Sequence, residues 1–141
     1  MKDIKFIKRN ESSLSIKKNS QVTIHVDYRI VRFSFRNDLA KEISKTGYAI
    51  ASDVDESSDV LYFRCSDENE GHKLSINKNS GSCFMTIGVH EYAKKIEELD
   101  WEGIYQNYYC EGNAFYIKLK DRQLPKDDYI VRKITLKKHR E

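Results

Sequence analysis

Arginine alternates with phenylalanine in residues 31–36, which read VRFSFR. Successive side chains of a β-strand point to opposite faces, so we expect Phe33 and Phe35 in the core and Arg32 and Arg36 on the open face. Exposed guanidinium groups suit contacts with phosphates. A surface that stacks the bases of a single strand would instead need aromatic rings beside the cations. The segment therefore predicts phosphate contacts without base reading.

The charges of the chain are unevenly distributed around a net charge of +3. Residues 1–36 carry nine Lys and Arg against three acidic residues, and residues 118–141 carry nine against four, whereas residues 37–117 carry seven against fifteen. Basic flanks of this kind predict a polyanionic partner. The alternative is that both flanks lie beside the acidic body and offset its self-repulsion. The candidate phosphate-contacting residues are Lys17, Lys18, Arg29, Arg32, Arg36, Arg132, Lys133, Lys137 and Lys138.

Catalytic and metal-binding patterns are not found in the sequence. The four histidines lack the spacing of metal ligands, and the three cysteines lack close pairs, so we interpret the cysteines as small buried side chains. There is no glycine-rich phosphate loop and no nucleophile elbow. A thiolate of Cys83 or Cys110 with a distant histidine stays open as a nucleophile and base. We predict a protein that is not an enzyme and has no metal and no cofactor.

Tyrosines are concentrated in residues 104–110, which we predict to be the first strand of a hairpin. Tyr105, Tyr108 and Tyr109 could form a surface for a protein partner, because tyrosine combines a large apolar ring with a polar hydroxyl. The alternative is that the rings are buried and the hydroxyls reach water. The surface would serve a second hypothesis, a protein–protein interaction module or an inhibitor of a host factor, without catalysis.

Two segments, residues 31–67 and residues 83–121, look like copies of one design. Each copy has an alternating strand, a short helix, a glycine turn and a hairpin. Phe33 corresponds to Met85 in the first strands, and Tyr62 corresponds to Tyr116 in the last strands. Repeats of this size typically form pseudo-symmetric units. We therefore predict one domain over residues 1–141.

The predicted fold class is α+β and mostly β, with pseudo-duplicated strand–helix–hairpin units. One of its two short helices ends near Gly47, and the other spans residues 89–100. Basic strands at residues 1–30 and 122–141 flank the repeat.

The strand Arg32-Phe33-Ser34-Phe35, the helix Leu39-Ala40-Lys41-Glu42-Ile43, Gly47 and the strand Val60-Leu61-Tyr62-Phe63-Arg64 follow one another in the order of a known motif. The pattern resembles the swapped-hairpin unit of the AbrB/MazE/MraZ group, in which two units interlock into one β-rich body. The resemblance implies a nucleic-acid-binding regulatory protein that binds DNA in preference to RNA. The Lys-, Asn-, Ser- and Tyr-rich composition also resembles accessory proteins of bacteriophages and mobile elements.

Membrane and export signals are missing from the sequence. No apolar run approaches the roughly 18 residues that a transmembrane helix needs. The N-terminus alternates Lys with apolar residues and has no apolar core of a signal peptide. We therefore expect a cytoplasmic protein, in the host cytoplasm if a phage encodes it, with a nucleic acid or a host protein as partner and no membrane. A homodimer stays open.

Overall fold

The computed structural model of the protein describes residues 20–124. The strands in this range are β1 (Val22–Asp27), β2 (Ile30–Phe35), β3 (Tyr48–Ala51), β4 (Val60–Ser66), β5 (His72–Lys73), β6 (Ser75–Ile76), β7 (Cys83–Ile87), β8 (Gly103–Tyr105), β9 (Tyr109–Glu111) and β10 (Ala114–Lys118). The helices are α1 (Asn37–Ile43) and α2 (His90–Glu98), and a 3-10 turn follows at Leu119–Asp121. Neither helix within residues 20–124 has the length and apolar character of a membrane span.

The strands form two five-stranded antiparallel sheets. The first sheet has the order β6-β7-β2-β1-β8, and the second has the order β5-β3-β4-β10-β9. The protein is therefore α+β and mostly β with two short helices, as the sequence predicts. The strands β2 and β4 are the middle strands of their sheets.

The corresponding strands of the predicted repeat are direct neighbours in each sheet. In the pairing of β2 with β7, Phe33 lies opposite Met85. In the pairing of β4 with β10, Tyr62 lies opposite Tyr116. The central residue of each strand thus faces its counterpart in the other copy, and the flanking residues pair crosswise, which is the register that a two-fold axis between the copies would give. The duplication itself stays a prediction, because β8 pairs with β1 and has no counterpart in the first copy.

Three phenylalanines join the middle strands of the two sheets. The ring of Phe63 on β4 packs edge-on against Phe33 and against Phe35 on β2, with both centroid distances at 5.2 Å. All three side chains are buried. The expectation that Phe33 and Phe35 belong to the core is therefore confirmed.

The two helices pack against the strands through small apolar faces. Leu39, Ala40 and Ile43 of α1 are buried, as are Ala93 and Ile96 of α2. The remaining faces of both helices are polar. Through these residues α1 packs against β2 and β4, and α2 packs against β1 and β2.

The cysteines occupy three different environments. Cys83 is buried, and the burial raises the pKa of its thiol to about 11. Cys65 is half-buried and donates a hydrogen bond to the carbonyl oxygen of Glu42. Cys110 is exposed on the edge strand β9. The interpretation of all three as buried side chains is wrong for Cys110, because a sheet edge leaves one side of its strand open.

We expect Phe63→Ala to lower the free energy of unfolding by about 3–5 kcal/mol, because it removes a buried ring and its two aromatic contacts. Tyr62→Ala is the matched control, since the neighbouring side chain on β4 points outward and is only half-buried. Urea unfolding followed by circular dichroism measures both losses. Equal losses would contradict the assignment of Phe63 as the contact that joins the sheets.

Candidate nucleic-acid interface

The open face of the first sheet is formed by the outward side chains of its three central strands. Across these strands His25 lies opposite Arg32, which lies opposite Thr86. In the next row Thr23 lies opposite Ser34, which lies opposite Phe84. We call these six side chains, Thr23, His25, Arg32, Ser34, Phe84 and Thr86, the Arg32 face. The residues that alternate with them along the strands are buried.

A cation and an aromatic ring lie together on the Arg32 face. The guanidinium carbon of Arg32 lies 4.4 Å from the centroid of the Phe84 ring. Arg32 is exposed and Phe84 is half-buried. A guanidinium at this distance from a ring makes a favourable cation–π contact. The strand β2 has no ring of its own beside Arg32, and the neighbouring strand β7 supplies one.

Arg36 and Arg29 lie beyond the two ends of β2. Arg36 directly precedes α1 and is half-buried, with its backbone N–H donating to the carbonyl oxygen of Gln21 at 3.0 Å. Arg29 lies in the turn between β1 and β2, and its guanidinium carbon is 5.0 Å from the centroid of the exposed Tyr28 ring. Within residues 20–124 no ion pair involves Arg29, Arg32 or Arg36. These guanidinium groups are therefore not neutralised by carboxylates of the described chain.

Most acidic residues lie outside the strands. Among the acidic residues of 37–117, only Glu111 lies on a strand, and the others lie on the two helices and the connecting loops. On the strands of the first sheet, Asp27 at the end of β1 is the one acidic residue. Several of the loop carboxylates have local partners, such as Asp55, whose carboxylate accepts hydrogen bonds from Ser57 and Ser58. These bonds hold the pKa of Asp55 below its ordinary value.

The other predicted phosphate-contacting residues lie outside the described residues. They are Lys17, Lys18, Arg132, Lys133, Lys137 and Lys138. The described part of the site therefore includes only Arg29, Arg32 and Arg36 of the predicted phosphate-contacting residues.

The three predicted interface tyrosines have different environments. Tyr105 is completely buried, and its hydroxyl donates to the carbonyl oxygen of Trp101 at 2.8 Å, so it is not available to a partner. Tyr108 is half-buried against the ring of Phe115. Only Tyr109 points to the open face of the second sheet. The predicted strand at 104–110 is wrong, because residues 103–105 pair with β1 in the first sheet and residues 109–111 pair with β10 in the second.

Tyr109 belongs to a row of three tyrosines that crosses the second sheet. Tyr109 lies opposite Tyr116, which lies opposite Tyr62, and the neighbouring ring centroids are 5.3 Å apart in both pairs. We call these three residues the tyrosine row. The ammonium group of Lys118 lies 4.3 Å from the centroid of the Tyr109 ring. The row places aromatic rings and a cation on a second open face.

Carboxylates hold the two end hydroxyls of the tyrosine row. Tyr62 donates to Glu111 and Tyr109 donates to Asp121, both at 2.9 Å. These hydrogen bonds raise the pKa of Tyr62 and of Tyr109 above the ordinary value, because a phenolate could not donate to the carboxylate. The end rings are thereby fixed in position.

Three aromatic residues of these surfaces, Phe84, Tyr62 and Tyr116, are not among the site residues that the sequence predicts. Every second residue of β7 is apolar, namely Cys83, Met85 and Ile87. This alternation predicts that these three face the core and that Phe84 between them faces outward. Its position beside Arg32 depends on the pairing of β2 with β7, which joins residues about fifty positions apart. Local sequence patterns do not specify such a pairing.

No metal-binding arrangement is present in the described part of the chain, where no three His, Cys, Asp or Glu side chains are grouped to hold an ion. Comparison with known proteins finds no match: no family model matches the chain, and no curated protein and no solved structure is significantly similar to it. The resemblance to the AbrB/MazE/MraZ group therefore stays a prediction.

We expect Arg32 and Phe84 to stabilise each other by about 0.5–1 kcal/mol, the range for an exposed cation–π pair. A double-mutant cycle with Arg32→Gln, Phe84→Leu and the double variant measures this coupling in urea unfolding. Thr86→Ser serves as a control partner for Arg32, since it lies opposite Arg32 and carries no ring. Additive effects of Arg32→Gln and Phe84→Leu would show that the guanidinium does not rest on the ring in solution.

Proposed function

We propose that the protein binds nucleic acid and that the arginines along β2 contact its phosphates from the Arg32 face. The observation that carries the proposal is the position of Arg32, exposed and 4.4 Å from the Phe84 ring on an open sheet face. Guanidinium groups offer several N–H donors in one plane and bind phosphate oxygens in pairs. The ring limits the positions of the guanidinium, which lowers the entropy lost when a phosphate binds.

The placement of the acidic residues supports the same face. A polyanion that approaches the first sheet meets Arg29, Arg32 and Arg36, none of which forms an ion pair within residues 20–124. The acidic residues of 37–117 lie on helices and loops, apart from Glu111 in the second sheet. The first sheet and its adjoining residues thus carry three arginines against one strand aspartate, Asp27, which favours an anionic partner. DNA as the nucleic acid and a regulatory role follow from the family resemblance alone, and both stay predictions.

We expect the affinity for nucleic acid to fall steeply as the salt concentration rises. We expect Arg32→Gln to make the slope of log affinity against log salt shallower by about one, because one phosphate contact is lost. Fluorescence anisotropy with a labelled oligonucleotide measures both. Lys94→Gln is the matched control, because Lys94 is an exposed cation on α2 and the charge change is the same.

Two results would count against this proposal. One is the absence of binding by the full chain at about 50 mM salt, where counterion release favours association. The other is an equal loss of affinity in Lys94→Gln and Arg32→Gln, which would indicate attraction by net charge without a specific face.

The tyrosine row favours a second candidate function, the binding of a protein partner. Half-buried aromatic side chains at the centre of a surface are the usual anchors of protein interfaces.

We expect Tyr109→Ser and Tyr116→Ser to abolish the stoichiometric capture of a partner from nuclease-treated host lysate, while Arg32→Gln retains it. Capture that is unaffected by both tyrosine changes, or that disappears on nuclease treatment of the wild type, would exclude this function.

A further inference from the structure

A groove of about 300 Å³ borders the Arg32 face at the edge of the first sheet. Its lining includes Ser34, Arg36, Ile76, Asn77, Ser82 and Phe84. Among its described lining residues, Arg36 is the one that carries a charge, and none is acidic. The volume lies at the lower end of the range for small-ligand sites, about 300–1,000 Å³. The groove therefore suits a small group that is partly apolar and attached to an anion.

Phe84 belongs both to this groove and to the contact with Arg32. Phe84 lines the groove and Arg32 does not, although the Arg32 guanidinium lies over the ring. Ile76 adds a second apolar side chain, 49% exposed, and Ser34, Asn77 and Ser82 add hydrogen-bonding groups. A planar ring that carries polar edge atoms matches this combination.

We propose that the groove takes one base of a single-stranded nucleic acid, with the base against Phe84 and the adjoining phosphates at Arg36 and Arg32. This inference rests on the proposed function and specifies the form of the nucleic acid. In a duplex the bases are stacked on one another, whereas the unstacked bases of a single strand can turn out and pack on an aromatic side chain. Stacking of this kind tolerates all bases, because each base has a π-face.

The spacing of the two arginines along β2 would let one nucleic-acid strand contact both arginines and the Phe84 ring. Arg32 and Arg36 are four residues apart, which corresponds to about 13 Å along an extended chain. Phe84 lies opposite Ser34, between the two arginines along β2. A nucleic-acid strand that runs along β2 would therefore contact Arg32, the Phe84 ring and Arg36 in turn.

The test compares the affinities of the full chain for single strands of about 12 nucleotides, within the site sizes of single-strand-binding proteins, and for their duplex. The probes are oligothymidylate, oligouridylate and the duplex of oligothymidylate with oligoadenylate, at one salt concentration. We expect either single strand to bind at least about tenfold more tightly than the duplex. The two single-stranded probes show whether DNA or RNA is the source of the strand.

Substitutions at Phe84 test the base contact. We expect Phe84→Leu to weaken single-strand binding by about tenfold or more, because one stacking contact is lost, and to weaken duplex binding much less, because the duplex loses only the support that the ring gives Arg32. Phe84→Tyr retains the ring and should restore the affinity. Tyr116→Leu, which removes a ring from the second sheet, is the control for a general effect of aromatic surface. Urea unfolding of each variant confirms that it is folded.

The outcomes separate the inference from the proposed function. If the duplex binds as tightly as the single strands, or if Phe84→Leu leaves single-strand affinity unchanged while Arg32→Gln lowers it, the base contact is overturned and phosphate binding stands. If the wild-type chain binds none of the three probes, both are overturned.

Discussion

The structure depends on the contact of Phe63 with Phe33 and Phe35. These rings come from the middle strands of the two sheets and pack edge-on at 5.2 Å, completely or almost completely out of water. Edge-on packing brings the positive edge of one ring to the negative face of another, which adds to the gain from burying three large side chains. The contact holds the sheets face to face at their centres.

The same contact determines what the protein displays. Because side chains alternate along a strand, burial of Phe33 and Phe35 turns Arg32 and Ser34 outward, and burial of Phe63 turns Tyr62 and Arg64 outward. The two open faces, one with Arg32 beside Phe84 and one with the tyrosine row, thus follow from one buried cluster. A shift of β2 or β4 by one residue in its pairing register would move the core side chains of that strand to the surface and the surface side chains to the core.

The charge distribution adds a second constraint on function. The acidic residues lie on helices and loops, where side chains reach solvent on several sides, while the strands of the first sheet carry arginine and one aspartate. This separation leaves Asp27, at the end of β1, as the one carboxylate on the strands of the first sheet, without requiring an excess of cations over the whole body. An anionic partner and the acidic body can therefore occupy different sides of one small protein.

Much of this arrangement could be predicted from local sequence patterns. The alternation in residues 31–36 places Phe33 and Phe35 inside and Arg32 outside, and the pattern also predicts two short helices and a mostly β fold. Two features could not be predicted, because they depend on pairings between distant residues. One is the position of Phe84 beside Arg32, which requires β2 to pair with β7. The other is the division of residues 103–111 between the two sheets, which buries Tyr105 and leaves Tyr109 half-buried in the second sheet. Local alternation specifies the faces of a strand but not its neighbours.

A nuclear magnetic resonance titration with a single-stranded oligonucleotide tests the central claim most directly, because each backbone amide reports its own surroundings. The account predicts that the largest shift changes occur at residues 32–36, 75–77 and 82–86, with small changes at Tyr62, Tyr109 and Tyr116. Changes confined to the second sheet, or spread evenly over the exposed lysines, would contradict it.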